Sequence, residues 1–154
     1  NDFDNLHYLY WSKRFRPESF PLDNFVEVGN PSDPLQCAVP IAGVLGLFSQ
    51  NTKYRVQGND VSGFVPQEAI SRRGVASPHA AIATEKGILF VAHDGVFLTN
   101  LLSPDQELSA GLTPMFLSET MYGQPPIDFG RALHMALAYY KGRFFISVPI
   151  VETD

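Results

Sequence analysis

Val39-Pro-Ile-Ala-Gly-Val-Leu-Gly-Leu-Phe-Ser49 is the first of three similar stretches in the sequence; the others are Ala83-Thr-Glu-Lys-Gly-Ile-Leu-Phe-Val-Ala-His93 and Ala138-Tyr-Tyr-Lys-Gly-Arg-Phe-Phe-Ile-Ser-Val148. The three stretches align on Gly43, Gly87 and Gly142. A two-residue hairpin loop needs positive φ at one or both central positions, which glycine adopts without steric cost. The pattern therefore predicts a strand, a tight turn and a second strand in each stretch.

The spacing of the aligned glycines indicates a repeating β architecture. The intervals are 44 and 55 residues, and proline and glycine crowd the longer one between Pro104 and Gly130, so we expect its excess in a loop. A period of about 40–50 residues built from short strands is typical of β-propeller blades. The sequence thus predicts an all-β chain with little helix, a β-propeller segment of about three four-stranded antiparallel blades. Their approximate bounds are residues 1–60, 61–110 and 111–154.

An almost unbroken apolar run follows each turn, as in Gly87-Ile-Leu-Phe-Val-Ala92, and indicates a strand that is covered on both faces. A third strand is predicted at Lys53-Tyr-Arg-Val56 and at Val96-Phe-Leu-Thr99, the latter after a turn at Asp94-Gly95. Alternation in the first of these places Lys53 and Arg55 on one face, near the exposed rim of a blade. The predicted turn glycines are Gly43, Gly87, Gly95 and Gly142.

Three other segments have readable local signals. Leu6–Trp11 and Asn24–Val28 are candidate outer strands, because proline and glycine bound them. Ser103-Pro-Asp-Gln-Glu-Leu108 begins with a capping residue, followed by proline and then glutamine, which predicts a short helix.

Composition limits the classes of function. Hydrophobic residues make up 45% of the chain and charged residues 18%, which predicts a globular chain with an apolar core. Net charge is −5, the opposite of the basic surface that tight nucleic-acid binding requires. No stretch reaches the roughly 18 apolar residues of a membrane helix, so no membrane partner is expected.

The 154 residues fit one domain. Because the chain opens on Asn1 and its last strand-like run ends at Val151, we expect a fragment of a longer polypeptide. Cys37 is the single cysteine, and its apolar neighbours predict a buried thiol.

Residues that could carry catalysis lack the arrangement that catalysis needs. The four histidines have no pair spaced three to five residues apart and no second cysteine, so neither a zinc site nor any other cofactor is predicted. A glycosidase would need two carboxylates across a sugar bond. Turn chemistry explains the acidic candidates better, and the chain is predicted not to be an enzyme. The histidines are His7, His79, His93 and His134, and the acidic candidates are Glu85, Asp94, Glu119 and Asp128.

Two basic segments are candidate binding sites. Lys13, Arg14 and Arg16 lie beside aromatic residues, a mixture that can bind single strands, but a solvated loop suits the negative net charge better. Arg72-Arg73-Gly74 is explained by a turn or by an ion pair between blades.

The order of short motifs along residues 8–149 resembles that of blades in bacteriophage tail hub, nozzle and DNA-stabilisation proteins. The motifs are Tyr10-Trp-Ser12, Pro17-Glu-Ser-Phe-Pro21, Phe25-Val-Glu-Val-Gly29, Asp33-Pro-Leu35, Ala42-Gly-Val-Leu-Gly-Leu-Phe48, Thr52-Lys-Tyr-Arg-Val56, Arg73-Gly-Val-Ala-Ser-Pro78, Gly87-Ile-Leu-Phe-Val91, His93-Asp-Gly-Val-Phe97, Leu108–Pro114 and Tyr140-Lys-Gly-Arg-Phe-Phe-Ile-Ser-Val-Pro149.

The resemblance implies a structural component of a virion tail, assembled in the host cytoplasm, that helps to seal the genome and conduct it during ejection. Its implied partners are other tail subunits and copies of itself in a ring, with DNA passing transiently and without specific binding. It implies no catalytic, metal-binding or cofactor-binding residues.

Two other functions stay open from the sequence. A carbohydrate-binding or glycoside-cleaving propeller for cell-surface recognition could stack Trp11 and the tyrosines on sugar rings. A cellular scaffold of the WD-repeat kind is a weaker alternative, because no Trp-Asp dipeptide closes any repeat.

Overall fold

The computed structural model describes residues 6–59 and 63–152, and in these ranges the chain is mostly β, with every strand pairing antiparallel. Within those ranges, helix is confined to α1 (Thr113–Phe116) and two 3-10 helices (Ala110–Leu112, Phe129–His134). The expected all-β chain with little helix is confirmed. The strands are β1 (Tyr8–Tyr10), β2 (Phe25–Glu27), β3 (Leu35–Ile41), β4 (Val44–Ser49), β5 (Lys53–Asn59), β6 (Gly63–Glu68), β7 (Ala81–Thr84), β8 (Gly87–Ala92), β9 (Gly95–Thr99), β10 (Gln106–Glu107), β11 (Ala136–Tyr140) and β12 (Arg143–Ser147).

The strands of the described residues form four antiparallel sheets, which follow one another along the chain. We call β1–β2 ribbon 1, β3–β6 sheet 1, β7–β10 sheet 2 and β11–β12 ribbon 2. Both four-stranded sheets are simple meanders, in which each strand pairs with the next one in sequence. Sheet 1 ends only at Glu68, so the blade boundary predicted after residue 60 falls between its third and fourth strands.

The predicted turn glycines occupy two different positions. Gly43 and Gly142 are the second residues of two-residue loops, with φ of +77° and +74°, and the residues before them also have positive φ. Such turns match the twist of the flanking strands. In contrast, Gly87 and Gly95 each begin a strand, one residue after the loops Glu85-Lys86 and His93-Asp94. The turns predicted to contain Gly87 and Asp94-Gly95 are therefore shifted by one residue towards the start of the chain.

Close packing requires glycine at the two strand-opening positions. A Cβ on Gly87 would lie 2.6 Å from the carbonyl oxygen of Thr99, and one on Gly95 would lie 2.6 Å from Ser109 Oγ. Both glycines also have positive φ, +151° and +157°. Close contacts beside the turn, with backbone at Gly87 and with a serine side chain at Gly95, therefore explain these two glycines better than the turn itself.

The core lies between sheet 1 and sheet 2. Every residue of β8 is buried, and the ring of Phe90 lies 5.2 Å from that of Phe48 on β4. Gly46 on β4 leaves room for its neighbour, because a Cβ there would lie 2.7 Å from Ile88 Cδ1. The two sheets thus stack face against face through their second strands, as the apolar runs predicted.

The first strands of successive sheets lie side by side. β3 contacts β7, and β7 contacts β11. At the second junction the Leu137 amide donates to the His79 carbonyl over 3.0 Å, and Ser77 Oγ donates to the Met135 carbonyl over 3.1 Å. Successive sheets are therefore joined along their first strands.

Two expectations are wrong. The segment predicted as a helix at Ser103–Leu108 contains β10 instead, where Gln106 and Glu107 pair with Leu98 and Phe97. Ser103 lies in a turn rather than at a helix start: its amide donates to Asn100 Oδ1 over 2.9 Å, and the turn leads into the strand. Ribbon 2 also differs from the predicted blade, because the described part of the third repeat has two strands rather than four.

Candidate functional site

The junction between sheet 1 and sheet 2 contains a buried ion pair. Lys53 Nζ on β5 lies 2.7 Å from Asp105 Oδ2 in the segment before β10, and both side chains are 0% exposed. The ammonium also donates to the carbonyls of Ser71 and Arg73, over 2.8 and 3.1 Å. Asp105 Oδ1 has no hydrogen-bond partner within the described ranges. The pair joins the third strand of one sheet to the outer part of the next.

Burial lowers the pKa of the Lys53 ammonium below its usual value, although the hydrogen bond and the charge of Asp105 act in the opposite direction. The desolvation cost makes the pair sensitive, because loss of one partner leaves the other buried without compensation. The sequence alternation placed Lys53 near an exposed rim, and this expectation is wrong. The partner lies 52 positions away in sequence, where no local pattern marks it.

Arg73 fixes the segment that connects the two sheets to sheet 2. In the segment between β6 and β7, its Nε donates to Asp94 Oδ2 over 2.8 Å, and its guanidinium lies 4.1 Å from the centre of the Phe97 ring. Arg72 pairs instead with Glu68 at the surface. The sequence left a turn or an ion pair between blades open for this segment, and the Arg73–Asp94 pair lies within the second predicted blade, residues 61–110, rather than between blades.

Asp33 organises the loop between β4 and β5. Its carboxylate accepts hydrogen bonds from Ser49 Oγ at 2.6 Å, Thr52 Oγ1 at 2.9 Å and the Asn51 amide at 3.1 Å. Partial burial raises the pKa of the Asp33 carboxyl, but these hydrogen bonds outweigh it and hold the pKa below its usual value of 3.8. No local sequence pattern indicates this loop, because its donors come 16 to 19 residues after the aspartate.

The acidic residues weighed as a catalytic pair lie in separate local environments. Asp94 is engaged by Arg73, and Asp128 accepts a hydrogen bond from the Gly130 amide over 2.9 Å at the start of a 3-10 helix. Glu85 occupies the loop between β7 and β8, and Glu119 is exposed after α1. Each of the four thus has turn, capping or surface surroundings.

The histidines are also dispersed. His7 is buried, with Nε2 lying 3.1 Å from Glu27 Oε1 across ribbon 1. The His93 ring packs on Phe129 at 4.8 Å, and His134 ends a 3-10 helix. Among residues 6–59 and 63–152, no three His, Cys, Asp or Glu side chains are grouped so that they could hold a metal ion.

Cys37 lies on β3 and packs against the core. It is partly rather than fully buried, and burial raises the pKa of its thiol to about 11. At neutral pH the thiolate, which is the reactive form, is therefore scarce.

The basic and aromatic segment near the start of the chain forms an exposed turn. The backbones of Lys13 and Arg16 form an antiparallel bridge across it. Phe15 at its tip is 88% exposed and has a φ of +59°. The Arg14 guanidinium lies 4.9 Å from the centre of the Phe15 ring. These contacts fit the predicted solvated loop.

Trp11 borders an apolar groove of about 470 Å³ between ribbon 1 and sheet 1. Its ring packs edge-on against Phe64 at 5.0 Å, so Trp11 helps to hold ribbon 1 on the sheet. The other residues of the groove are mostly aliphatic, among them Leu9, Ile41, Val44 and Leu45.

In ribbon 2 the apolar sequence pattern and the observed burial disagree. Its second strand has the same apolar pattern as β4 and β8, yet Phe144 and Phe145 are 45% and 55% exposed. Only Ile146 of β12 is partly buried against the core. Sequence reasoning predicted a covered strand here, and this expectation is wrong for the chain by itself.

Within the described ranges, no helix is long and apolar enough to cross a bilayer. No protein-family model matches the chain, and no curated protein is significantly similar to it.

Proposed function

We propose that the chain is a structural segment of a β-propeller in a bacteriophage tail, of the hub or nozzle type, where it helps to seal and conduct the genome. The observation that carries the architectural part is the contact of β3 with β7 and of β7 with β11. When meandering sheets meet through their first strands and stack through their faces, successive sheets fan out around an axis. That arrangement is the one on which blades of a propeller are built.

The contacts between sheets favour a mechanical role. The buried Lys53–Asp105 pair and the Phe48–Phe90 packing connect sheet 1 to sheet 2. The Arg73–Asp94 pair fixes the connecting segment to sheet 2. In the described ranges, the acidic side chains considered for catalysis are used in turns, caps and ion pairs. The working surface in this proposal is therefore the stacked interface and its exposed continuation on ribbon 2.

Net charge suits a wall that DNA passes without adhering. A chain with a net charge of −5 repels a polyanion at low ionic strength, where screening is weakest. Retention of the isolated chain on immobilised double-stranded DNA at low salt would contradict this part of the proposal. A basic protein of similar size serves as the positive control.

The test of the tail assignment is mass spectrometry on purified virions of the phage whose genome encodes the chain, with tails and capsids fractionated. Peptides of this chain should be enriched in the tail fraction at a constant ratio to other tail proteins. Their absence from intact virions, or their presence in capsids alone, would reject the assignment. A host genome without phage genes beside the coding sequence would also count against it.

The carbohydrate-binding alternative has weaker support, because the Trp11 ring is occupied by packing on Phe64. A glycan array and a hydrolysis screen discriminate between the two functions. Both should be blank for the structural role, whereas a glycan signal that Trp11→Ala abolishes would favour the alternative.

A further inference from the structure

A hairpin loop between β1 and β2 presents large apolar side chains to solvent. We call this loop, residues 12–23, the tip loop. Three of its apolar side chains are more exposed than buried: Phe15 by 88%, Phe20 by 60% and Leu22 by 92%. A single exposed apolar side chain is ordinary, but several in one short loop are typical of a surface that contacts another body.

Main-chain hydrogen bonds hold the tip loop in shape. The Lys13 amide donates to the Ser19 carbonyl over 2.8 Å, and the Ser19 amide donates to the Arg16 carbonyl over 3.0 Å. The Arg16 amide donates in turn to the Lys13 carbonyl over 3.0 Å. Pro17 and Pro21 have no amide hydrogen. Because these three amides are bonded internally and two positions have none, moving the loop into a less polar medium costs less free energy.

Phe15 occupies a strained backbone position in this loop. Its φ of +59° lies in the left-handed region, which is unfavourable for a bulky residue. Strain of this kind is concentrated at sites that contact ligands. The tip loop thus keeps an aromatic side chain at an exposed position that glycine or asparagine would occupy with less strain.

Cations accompany the exposed apolar side chains. Lys13, Arg14 and Arg16 are all exposed, and no acidic residue lies among them. Glu18 and Asp23 follow in the second half of the loop. At an ionic strength of about 0.1 M the Debye length is about 10 Å, so the distant acids that give the chain its net charge of −5 are largely screened from the loop. The first half of the tip loop is therefore locally basic.

Apolar surface continues from the tip loop into the body of the chain. A cavity of about 380 Å³ beside Lys13 and Phe15 is also lined by Trp11 and Phe64. The same two residues line the apolar groove between ribbon 1 and sheet 1. The basic loop and the apolar groove therefore form one amphipathic surface.

We propose that the tip loop docks on the surface of a bilayer that contains anionic lipids. Phe15 and Leu22 insert at the level of the headgroups, while Lys13 and Arg16 contact lipid phosphates. A short loop that mixes apolar side chains with cations suits this boundary, where hydrocarbon meets charged headgroups. The expectation of no membrane partner concerned a spanning helix, which a peripheral contact does not need. This inference goes beyond the proposed function and does not depend on it.

Vesicle co-sedimentation with the full chain tests the docking. Vesicles of phosphatidylcholine alone are compared with vesicles of an equal mixture of phosphatidylcholine and phosphatidylglycerol. The chain should bind the mixed vesicles and should bind the neutral ones about fivefold more weakly or less, because each cation near an anionic surface strengthens binding. Added salt should release it. No binding to the mixed vesicles would overturn the proposal and favour a protein partner, and equal binding to both kinds would overturn it because the cations would have no part.

Two exposed aromatic residues provide a matched pair of variants. Tyr122 is 89% exposed with a φ of +49°, but the chain has no lysine or arginine between Lys86 and Arg131. Asparagine tolerates positive φ, so Phe15→Asn and Tyr122→Asn should both keep the fold, which circular dichroism checks. Phe15→Asn should lower the partition coefficient on mixed vesicles by about tenfold, whereas Tyr122→Asn should leave it unchanged. Equal effects of the two substitutions would overturn the proposal.

A second pair of variants tests the charge by itself. Lys13→Gln should lower the partition coefficient on mixed vesicles by about fivefold. Lys86→Gln is the control, because Lys86 is exposed in the loop between β7 and β8, and it should have no effect. If the two substitutions weaken binding equally, the contact is a diffuse attraction and the proposal fails.

The single tryptophan allows a measurement that needs no variant. Trp11 lines both cavities beside the tip loop, so brominated acyl chains should quench its emission when the loop is docked. Mixed vesicles with brominated phosphatidylcholine should therefore quench more strongly than the same vesicles without bromine. Binding without such quenching would place another surface of the chain against the bilayer and would overturn the proposal.

Discussion

Strands β8 and β12 occupy the same position in two copies of the repeat, and their surroundings differ. Both follow a tight turn, and both carry consecutive large apolar side chains. Every residue of β8 is buried between sheet 1 and the elements after it, whereas β12 has one partner strand in the described ranges and exposes Phe144 and Phe145. An apolar run therefore indicates a strand that is suited to burial on both faces. Whether such a strand is buried depends on which elements pack against it, and the strand's own residues do not specify them.

Removal of one phenylalanine ring from β8 and one from β12 tests whether the two strands are differently buried. Phe90→Ala should lower the free energy of unfolding by about 3–5 kcal/mol, because it opens a cavity beside Phe48 in the closed core. Phe145→Ala is the matched control and should cost less than about 1 kcal/mol, because Phe145 is 55% exposed. Urea unfolding measures both values. Equal losses would show that the two strands are not differently covered.

Breaking the buried ion pair should weaken the junction between sheets 1 and 2. Asp105→Ala leaves the buried Lys53 ammonium without its counter-charge, and the free energy of unfolding should fall by about 3–5 kcal/mol. Glu68→Ala removes the partner of the exposed Arg72 and should cost about 0–1 kcal/mol. The double variant Lys53→Met with Asp105→Leu should recover much of the loss, because no charge stays buried. A mild effect of Asp105→Ala would contradict the closed junction.

Overpacking the same junction should have a smaller effect. Gly46→Val places methyl groups where Ile88 and Leu101 already lie, so we expect a loss of about 1–3 kcal/mol. Gly111→Ala is the control, because a Cβ at Gly111 meets no atom within 4 Å. It should change stability by no more than about 0.5 kcal/mol. Thermal unfolding of the two variants side by side makes the comparison, and equal melting temperatures would argue against close stacking of the sheets.

The Asp33 loop should add a smaller, pH-dependent contribution to sheet 1. Because hydrogen bonds hold the pKa of the folded carboxyl below 3.8, its contribution is present above that pH and is lost as the pH falls through the lower folded pKa. Asp33→Asn should cost about 1 kcal/mol at pH 7 and should reduce the loss of stability between pH 5 and pH 3. Urea unfolding at several pH values provides the measurement. An unchanged acid limb in the variant would contradict the role of the carboxylate.

Local features of this fold could be predicted from the sequence, because short-range physics decides them. The hairpins at Gly43 and Gly142 follow from two adjacent positions that need positive φ, and strands β1 and β2 follow from apolar runs bounded by proline. The helix expected at Ser103–Leu108 failed because pairing of β10 with β9 overrides the capping signal. Local propensity yields to strand pairing when the partner strand is already fixed.

The contacts between sheets could not be predicted, since they join residues that no spacing rule connects. Lys53 was expected near an exposed rim. Its ammonium is buried instead, because Asp105 from the next sheet pairs with it. The acidic and histidine candidates could be judged more easily, because catalytic groupings require several residue types close together. Exposure of β12 was unpredictable for a different reason, as it depends on strands that lie outside the hairpin.

Hydrogen exchange of the backbone amides compares β8 with β12 in one sample. We expect slow exchange throughout β8, because the strand is buried between sheet 1 and the elements after it, and fast exchange of the Phe144 amide, which points away from β11. If the β8 amides exchange as fast as that of Phe144, then sheets 1 and 2 are not stacked face against face.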